Sequence, residues 1–566
     1  MALNARRLRS LTGVALALAT LATRLPFRAK TFFEFDSINF AVATFRFDLR
    51  EVTPQMPGYI LHILPGRLLS WITGDINSGL IWVSLLLSIG AVLFLWRAAA
   101  QLRGERVAII AAIVWLTTPL FWFHGEVAAI YAHEAFFASA MLYAGLKLLR
   151  QQDNTFIAYF LLLLLSLAGA ARQNDLVFFL PATVYVLWKS RIRGKHLVLA
   201  SLAFIATTAL WLGELLRESG GLATYLEFAK HEINFKTQSV LFGNSWQSQW
   251  DLIAKVAFNL PMGMGAAMVM CLLILAVFPG RVVRFVKQYA VNAKALYVVM
   301  LPVPALLFYF TIFFMKAGYL LNVVPSAILI VAVLTDQAAI WLAERTKRKP
   351  ENKLRLTRPI ITRNVIVLTS FTAIANCLWF FIPWPGTSQA RYNNENTRNS
   401  FVHGALNRLS SSRERYATLA NRAFEYTNLS GIQAVDNINN ETLRVLIANG
   451  ADDSNQVIIA SWWSRWCYLL TPRATTYDIE VDFNHPGALA VGRAREFHRD
   501  NLYDSLIPIH TSRPVLLLMR HDRSDFAEVS RQVHLERLPM PEYLDVFKIL
   551  DSAFVLRWRD RVFVKP

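Results

Sequence analysis

The sequence predicts a polytopic α-helical membrane protein that carries a polar α/β domain at its C-terminal end. Apolar runs long enough to cross a hydrocarbon core of roughly 30 Å recur as far as residue 383 and then stop. Of the 566 residues, 55% are hydrophobic and only 17% are charged, and the mean hydropathy is positive. This composition is too apolar for a single soluble core. We therefore expect a transmembrane domain at 1–383 and an extracytoplasmic domain at 384–566.

The tail has its own pattern of elements. The Asn-rich stretch Arg391 to Asn399 predicts a linker, and Arg408 to Arg422 predicts a helix. The runs Gln456 to Ser461, Pro514 to Met519 and Phe554 to Arg557 predict strands, whereas Ser524 to Leu535 has a helical pattern. Together they predict a small α/β domain.

The apolar runs predict about eleven membrane helices. With a cytoplasmic N-terminus, an odd number of spans places the tail outside. The basic loops at 281–294 and 344–363 then fall inside, as the positive-inside rule requires. The expected spans are 10–27, 79–96, 107–123, 127–148, 155–171, 176–189, 197–215, 256–279, 296–315, 318–343 and 361–383.

The formal charge of +19 does not indicate nucleic-acid binding, because the basic residues lie in short loops between apolar runs and form no single basic face. The first apolar segment, near Leu11 to Ala22, could be a cleaved signal peptide. We expect a retained anchor, since the residues that follow it carry the first candidate site. Three cysteines in a chain of this kind predict no disulfide framework.

The first outer loop, 28–78, carries Asp36. An ionisable group at a membrane boundary is costly unless it faces a protein interior or a wet cavity. Asp36 could act as a general base, or it could merely cap a helix that starts at Ser37. Further along the loop, the run Ile60 to Ile72 predicts an amphipathic helix that lies in the interface.

His124 and Glu126 lie at the outer end of the third expected span. Side chains of these types could share a metal ion or a proton, but His-x-Glu is a weak pattern without further ligands. A structural hydrogen-bonded pair at a helix end is the alternative.

Two further polar segments are expected on the same side of the membrane. Arg172 has a planar fork that suits phosphate oxygens, and Gln173 and Asn174 can hydrogen-bond to sugar hydroxyls. An ordinary solvated turn is the alternative for this segment. Lys316 could bind a phosphate, with Tyr319 adding a hydroxyl, or it could snorkel to the lipid headgroups. The clustering of these groups on one side predicts a site at the outer boundary.

Taken in order, these segments resemble the GT-C class of membrane glycosyltransferases, which includes protein O-mannosyltransferases and bacterial aminoarabinose transferases. The resemblance covers the membrane half of the chain. The segments that carry it are Phe35-Asp36-Ser37-Ile38-Asn39-Phe40-Ala41, Pro54-Gln55-Met56-Pro57-Gly58-Tyr59 with Gly66-Arg67-Leu68, Glu126-Val127 with Tyr131, Ala171-Arg172-Gln173-Asn174, and Lys316-Ala317-Gly318-Tyr319-Leu320-Leu321 ahead of Pro325.

The resemblance implies a multi-pass enzyme of the bacterial inner membrane that transfers a hexose or pentose. The donor would be a polyprenyl-phosphate sugar, the acceptor an extracytoplasmic protein, lipid or glycan, and the reaction an inverting single displacement. Asp36 and Glu126 would be the catalytic carboxylates, and Lys316, Arg172 and Tyr319 would hold the donor phosphate. The residues assigned to substrate binding are Asn39, Tyr59, His124, Gln173 and Asn174.

This sequence departs from the family pattern at Ser37, where many relatives carry a second acid, and Glu34 is a poor substitute by spacing. The alternative that Glu126 and His124 hold a divalent metal ion therefore stays open. A transporter or flippase for a lipid-linked glycan is the alternative function. That reading predicts polar groups near the membrane midplane and broken helices in repeated halves.

Overall fold

The structure is a computed structural model of the 566-residue chain. The described residues are 2–49, 53–192, 194–237, 239–345, 357–383, 426–460, 467, 469–471, 473–478, 506–519, 524–539, 545–558 and 561–566. The expected linker at 391–399 and the expected helix at 408–422 lie outside these residues.

The membrane half is built from helices. The first of them are α1 (Ala2–Arg24), α2 (Phe35–Ala43), α3 (Ile60–Thr73), α4 (Ile76–Arg103), α5 (Glu105–Thr117), α6 (Pro119–His124), α7 (Tyr131–Arg150), α8 (Thr155–Ala171) and α9 (Gln173–Lys189). They are followed by α10 (Lys195–Glu218), α11 (Leu222–Lys236), α12 (Trp246–Met264), α13 (Ala266–Val277), α14 (Pro279–Tyr289), α15 (Ala293–Met300), α16 (Val303–Thr311), α17 (Val324–Arg345) and α18 (Thr357–Phe381). In the centre, α4 packs against α3, α5 and α7.

Among the described residues, six helical segments are long and apolar enough to cross a membrane, or seven if one bent pair counts as a span. They are Arg7–Phe27, Ile76–Arg103, Lys195–Glu218, Ala293–Thr311, Val324–Arg345 and Arg358–Phe381, with α12 and α13 as the bent pair. The chain is thus a multi-pass membrane protein by length and composition. Some expected spans fall short because they are interrupted or brief: Pro119 separates α5 from α6, and α8 has 17 residues.

The expected straight span at 256–279 is bent by 94° between α12 and α13. Gly265 lies at the bend with a φ of 57°, a left-handed conformation that suits glycine. Asn376 on α18 accepts a hydrogen bond from the Ala266 N–H at 2.7 Å, which satisfies a backbone donor freed by the break. The bend is therefore built into the fold.

A helix over the run Ile60 to Ile72 is confirmed as α3, and its place in the interface stays a prediction. Its apolar side chains Leu64, Leu68, Trp71 and Ile72 are exposed and share one helix face, as in helices that lie in a membrane interface.

The helix bundle has two chemically different ends. The site end holds residues 25–35, 124–131 and 316–323: the Ala29 N–H donates to the Glu126 carbonyl at 2.9 Å, and Asn77 at the start of α4 donates to the Ala29 carbonyl at 3.4 Å. The basic end holds residues 101–106, 150, 294 and 337–344. There, Lys294 donates to the Gln101 carbonyl at 3.1 Å. The length of α4 separates the ends by about 40 Å.

The tail contains helices α19 (Leu429–Ala448) and α20 (Ser524–Val529). Its strands are β1 (Val457–Ala460), β2 (Thr475–Asp478), β3 (Leu506–Pro508), β4 (Leu516–Met519), β5 (Leu535–Arg537), β6 (Asp545–Ile549), β7 (Phe554–Trp558) and β8 (Arg561–Lys565). One sheet has the order β2-β1-β4-β6-β5, and the other has the order β3-β8-β7.

The strands predicted at 456–461, 514–519 and 554–557 are confirmed as β1, β4 and β7. The helical pattern predicted for Ser524 to Leu535 is wrong beyond Val529. Leu535 instead pairs with Ile549 in the larger sheet, so pairing with a neighbouring strand overrides the local pattern.

Candidate active site

Three charged side chains meet at the site end. Helix α2 begins at Phe35, with Glu34 at its N-cap position and Asp36 in its first turn. Lys316 immediately precedes a 3₁₀ turn, Ala317–Asn322. The Lys316 ammonium donates to Glu34 Oε2 at 2.8 Å and also to Asp36 Oδ2. The structure thereby brings two acids of the 28–78 loop onto a lysine that is 280 residues away from Asp36 in sequence.

The three members of this cluster differ in exposure. The side chain of Glu34 is 5% exposed, that of Lys316 is 18% exposed and that of Asp36 is 24% exposed. Burial alone would lower the pKa of Lys316, but the carboxylates of Asp36 and Glu34 raise it well above its usual value. Lys316 is therefore a fixed cation, and Asp36 is the carboxylate of this cluster with most access to an incoming molecule.

The interpretation of Asp36 as the cap of a helix starting at Ser37 is wrong, because the helix starts two residues earlier and Glu34 takes the N-cap position. Asp36 lies within the first turn, where the exposed backbone N–H groups of the helix favour a carboxylate. Its side chain is engaged with Lys316.

The 3₁₀ turn that follows Lys316 is fixed from several sides. The Tyr309 hydroxyl donates to the Tyr319 carbonyl at 3.0 Å and accepts from Asn322 at 2.8 Å. Gly318 lies against the ring of Tyr131, and a Cβ atom added there would come within 2.2 Å of that ring. The turn therefore holds Lys316 in a defined place, and the position of Gly318 requires glycine for close approach.

Arg172 forms a second charged group beside this turn. It occupies the N-cap position of α9, and its Nη1 donates to Glu134 Oε1 at 2.5 Å. Its guanidinium lies 3.9 Å from the centre of the Tyr319 ring, within cation–π range. Both members of the ion pair are at most 5% exposed. The alternative of an ordinary solvated turn is therefore wrong for Arg172.

Glu126 and His124 are buried beside the cluster. Glu126 Oε1 accepts from the Trp122 indole at 2.8 Å, and the Glu126 backbone carbonyl accepts from the Ala29 N–H of the 28–78 loop. The His124 ring lies 4.8 Å from the ring of Tyr131, and neither of its nitrogens has a hydrogen-bond partner within the described residues.

Glu126 and His124 do not form a metal site by themselves. In the described part of the chain, no three His, Cys, Asp or Glu side chains converge in a way that could hold a metal ion. Glu126 already accepts from Trp122, so His124 and Glu126 alone leave a metal ion short of ligands.

Two of the residues expected to bind substrate, Asn39 and Gln173, contact the loop at 53–59. Buried Asn39 donates to Gln55 at 3.5 Å, and Gln173 donates to the Pro57 carbonyl at 3.1 Å. The Tyr59 ring packs edge-on against Phe40 at 5.3 Å, and Asn174 is half-buried in the first turn of α9. Asn39 and Gln173 therefore fix the loop against α2 and α9.

Sequence reasoning missed the contribution of the tail to this site. On α19, Asp436 accepts from the backbone N–H groups of Lys30 and Thr31 at 2.9 and 2.8 Å, and also from the Thr31 hydroxyl at 2.8 Å. Asn439 donates to the Phe32 carbonyl at 3.0 Å. Helix α19 thus holds the backbone just ahead of Glu34 and Asp36, and no sequence pattern near Asp436 signals this role.

Sequence reasoning also missed a buried arginine behind the site. Arg24, at the end of α1, donates to the Leu116 carbonyl at 3.0 Å. Its guanidinium lies 4.8 Å from the centre of the Phe121 ring. The available signal was its position at the end of an apolar run. That signal was ambiguous, because a basic residue there is equally well interpreted as a loop charge.

Comparisons with known proteins give a partial family match and a full-length structural likeness. The family model for dolichyl-phosphate-mannose-protein mannosyltransferases matches residues 54–212, a segment that contains Glu126 and Arg172 but neither Asp36 nor Lys316. A comparison with curated protein sequences finds no significant match.

Two solved structures of ArnT from Cupriavidus metallidurans are similar to this chain over nearly its whole length. For the apo state the TM-score is 0.53 at 13% identity, covering 96% of this chain and 98% of that one. For the form bound to undecaprenyl phosphate the TM-score is 0.54 at 11% identity, covering 98% and 99%. The chain therefore has a fold similar to that of ArnT, and the resemblance to GT-C membrane glycosyltransferases is confirmed.

Proposed function

We propose that this chain is a membrane glycosyltransferase that moves a sugar from a polyprenyl-phosphate donor to an extracytoplasmic acceptor, with Asp36 as general base. The observation that carries the proposal is the contact of Lys316 with both Asp36 and Glu34 at the site end of an ArnT-like fold. That arrangement puts a proton acceptor and a fixed cation within one hydrogen bond of each other.

The proposed reaction is a single inverting displacement. The Asp36 carboxylate takes the proton from the acceptor hydroxyl or amide while the acceptor atom forms a bond to the anomeric carbon. The bond from the anomeric carbon to the phosphate oxygen breaks, and the polyprenyl phosphate leaves with the electron pair. Lys316 stabilises the negative charge that grows on the departing phosphate.

The other site residues take supporting parts in the proposal. Tyr319, in the turn that follows Lys316, and Arg172, which packs on the Tyr319 ring, are proposed to contact the donor phosphate, although Glu134 already pairs with Arg172. Glu126 positions the loop at 28–78, because it is buried and its backbone carbonyl accepts from the Ala29 N–H. His124, Tyr59 and Asn174 remain proposed contacts of the sugar or acceptor, and Asn39 and Gln173 orient the loop between them.

The proposed topology has eleven spans in a bacterial inner membrane, with a cytoplasmic N-terminus. The site end then faces outward, and residues 384–566 form an extracytoplasmic domain that takes part in acceptor binding. The concentration of Lys and Arg at the basic end supports this orientation. The distribution of charged site residues at helix starts, close to one end of the bundle, favours catalysis over transport, which would need such groups along a path near the midplane.

The test is replacement of the proposed base. Asp36→Asn is expected to abolish sugar transfer while polyprenyl-phosphate binding is retained, because the substitution removes the proton acceptor and keeps the side-chain size. Asp75→Asn is the matched control: Asp75 caps α4 through a 2.7 Å bond from the Ser78 N–H, and Asn caps helices equally well.

Transfer is measured by mass analysis of lipid-linked sugars and glycosylated products in a strain that carries each variant. An accumulated donor identifies the sugar, and the missing product identifies the acceptor. Near-normal turnover by Asp36→Asn would overturn the proposed mechanism.

A further inference from the structure

A cavity of about 570 Å³ opens at the basic end, away from the candidate active site. Arg103 lines it from the last turn of α4, and Arg281 and Arg284 line it from α14. Because α4 runs from the site end to the basic end, this cavity lies about 40 Å from the Lys316 cluster. It cannot belong to the same site.

The side chains of α14 are sorted by helix face. Arg281, Arg284, Phe285 and Gln288 follow the spacing i, i+3, i+4 and i+7, so they share one face, and all four line the cavity. On another face, Val283 and Val286 are 54% and 55% exposed. This is the pattern of a helix that lies in a membrane interface, with apolar residues toward the acyl chains and basic residues at headgroup level.

The guanidinium groups are only partly neutralised. Arg281 pairs with Glu344 at 2.8 Å, and Arg103 donates through Nη2 to Gln337 at 2.8 Å. The Nη1 of Arg103 is buried and has no hydrogen-bond partner within the described residues. Arg284 donates only weakly to a carbonyl of its own helix, at 3.3 Å. The cavity therefore has more cationic donors than acceptors.

The walls of the cavity preorganise Arg103. Its guanidinium lies 5.0 Å from the centre of the Phe285 ring and 5.4 Å from that of Tyr289. Aromatic contacts of this kind hold a guanidinium in place and leave its edge free for planar, two-pronged hydrogen bonds to an oxyanion. A buried donor without a partner beside a second, loosely held arginine is suited to a phosphate group.

We propose that this cavity binds the phosphate of an anionic phospholipid in the leaflet that contacts the basic end. A lipid is favoured over a free phosphate compound because α14, which supplies two of the arginines, presents the exposed Val283 and Val286 on another face, where acyl chains could cover them. Occupancy would tie α14 to α4 and α17 at the membrane surface.

The proposal is tested by lipid binding to the full-length protein after delipidation in detergent, with native mass spectrometry as the readout. Phosphatidylglycerol and phosphatidylcholine are added separately. Phosphatidylglycerol is expected to bind more tightly, and Arg284→Gln is expected to weaken that binding by about tenfold, the value of one hydrogen bond between charged groups. Lys287→Gln removes the same charge from the same helix outside the cavity lining and is expected to leave binding nearly unchanged.

Three outcomes would overturn the proposal. They are equal affinity for the two lipids, an equal loss of affinity in Lys287→Gln and Arg284→Gln, and displacement of phosphatidylglycerol by inorganic phosphate at comparable concentration. The last outcome would mean that the site recognises a free phosphate and gains nothing from the lipid. Sugar transfer by Arg284→Gln serves as the check on folding, since Arg284 is remote from the active site.

Discussion

Replacement of Lys316 by Gln tests whether the charged cluster works as a unit. Lys316 is the cation of two carboxylates, and none of the three side chains is more than 24% exposed. At about 4 Å and an effective dielectric constant near 20, each ion pair is worth about 4 kcal/mol before desolvation. Removing one partner of a buried ion pair typically costs about 3–5 kcal/mol. Because Asp36 and Lys316 are partly exposed, we expect a loss near the lower end.

The effect on donor binding follows from the same contacts. A phosphate loses one charge-assisted hydrogen bond when Lys316 becomes Gln, so its affinity should fall by about tenfold or more. The assay is calorimetric binding of a short-chain polyprenyl phosphate to the full-length protein, together with thermal unfolding without ligand. Lys30→Gln is the matched control, since Lys30 lies at the same end with an exposed side chain.

A double-mutant cycle that combines Lys316→Gln with Asp36→Asn tests whether the two side chains interact energetically. If the two side chains interact as the structure places them, Lys316→Gln should cost about 1–3 kcal/mol less stability when Asp36 is already Asn. Effects that add within about 0.5 kcal/mol would show that the contact has no energetic weight. An unchanged phosphate affinity in Lys316→Gln would contradict the phosphate role even if the cycle shows coupling.

Two further predictions concern the supports of the site. Gly318→Ala should lower the melting temperature and destabilise the fold by about 1–3 kcal/mol, because the added methyl group would meet the Tyr131 ring; a wild-type melting curve would contradict this packing. Asp436→Ala should reduce kcat by about ten- to a hundredfold with little change in KM, because it frees the backbone ahead of the proposed base. Glu441→Gln is its control, because Glu441 lies on the same helix and pairs with Arg444 three residues along, and equal kcat in both variants would refute the positioning role.

The broad plan of the molecule was open to sequence reasoning because it depends on local properties. The length of apolar runs predicts membrane helices, alternation and β-branched residues predict strands, and both read only neighbouring residues. The helix α3 and the strands β1, β4 and β7 were found in this way. The break at Gly265 was not, because it depends on Asn376, more than a hundred residues further along the chain.

Sequence reasoning identified only part of the candidate site. The sequence singled out Asp36, Arg172 and Lys316 because charged groups at membrane boundaries are rare and costly. It gave Glu34 no part, since spacing along one loop says nothing about which side chain a distant lysine will meet. It likewise gave no sign of Glu134 as the partner of Arg172, or of α19 as the support of the 28–78 loop.

The sequence by itself determined that this is a multi-pass membrane protein and which unusual polar residues it places near the ends of its helices. Only the tertiary structure decided that Lys316 lies between Glu34 and Asp36, that Glu134 holds Arg172, and that Asp436 holds the loop. The physical reason is the sequence separation of the residues involved. Membrane insertion follows from the hydropathy of contiguous residues, whereas ion pairs between residues hundreds of positions apart are set by how whole helices pack.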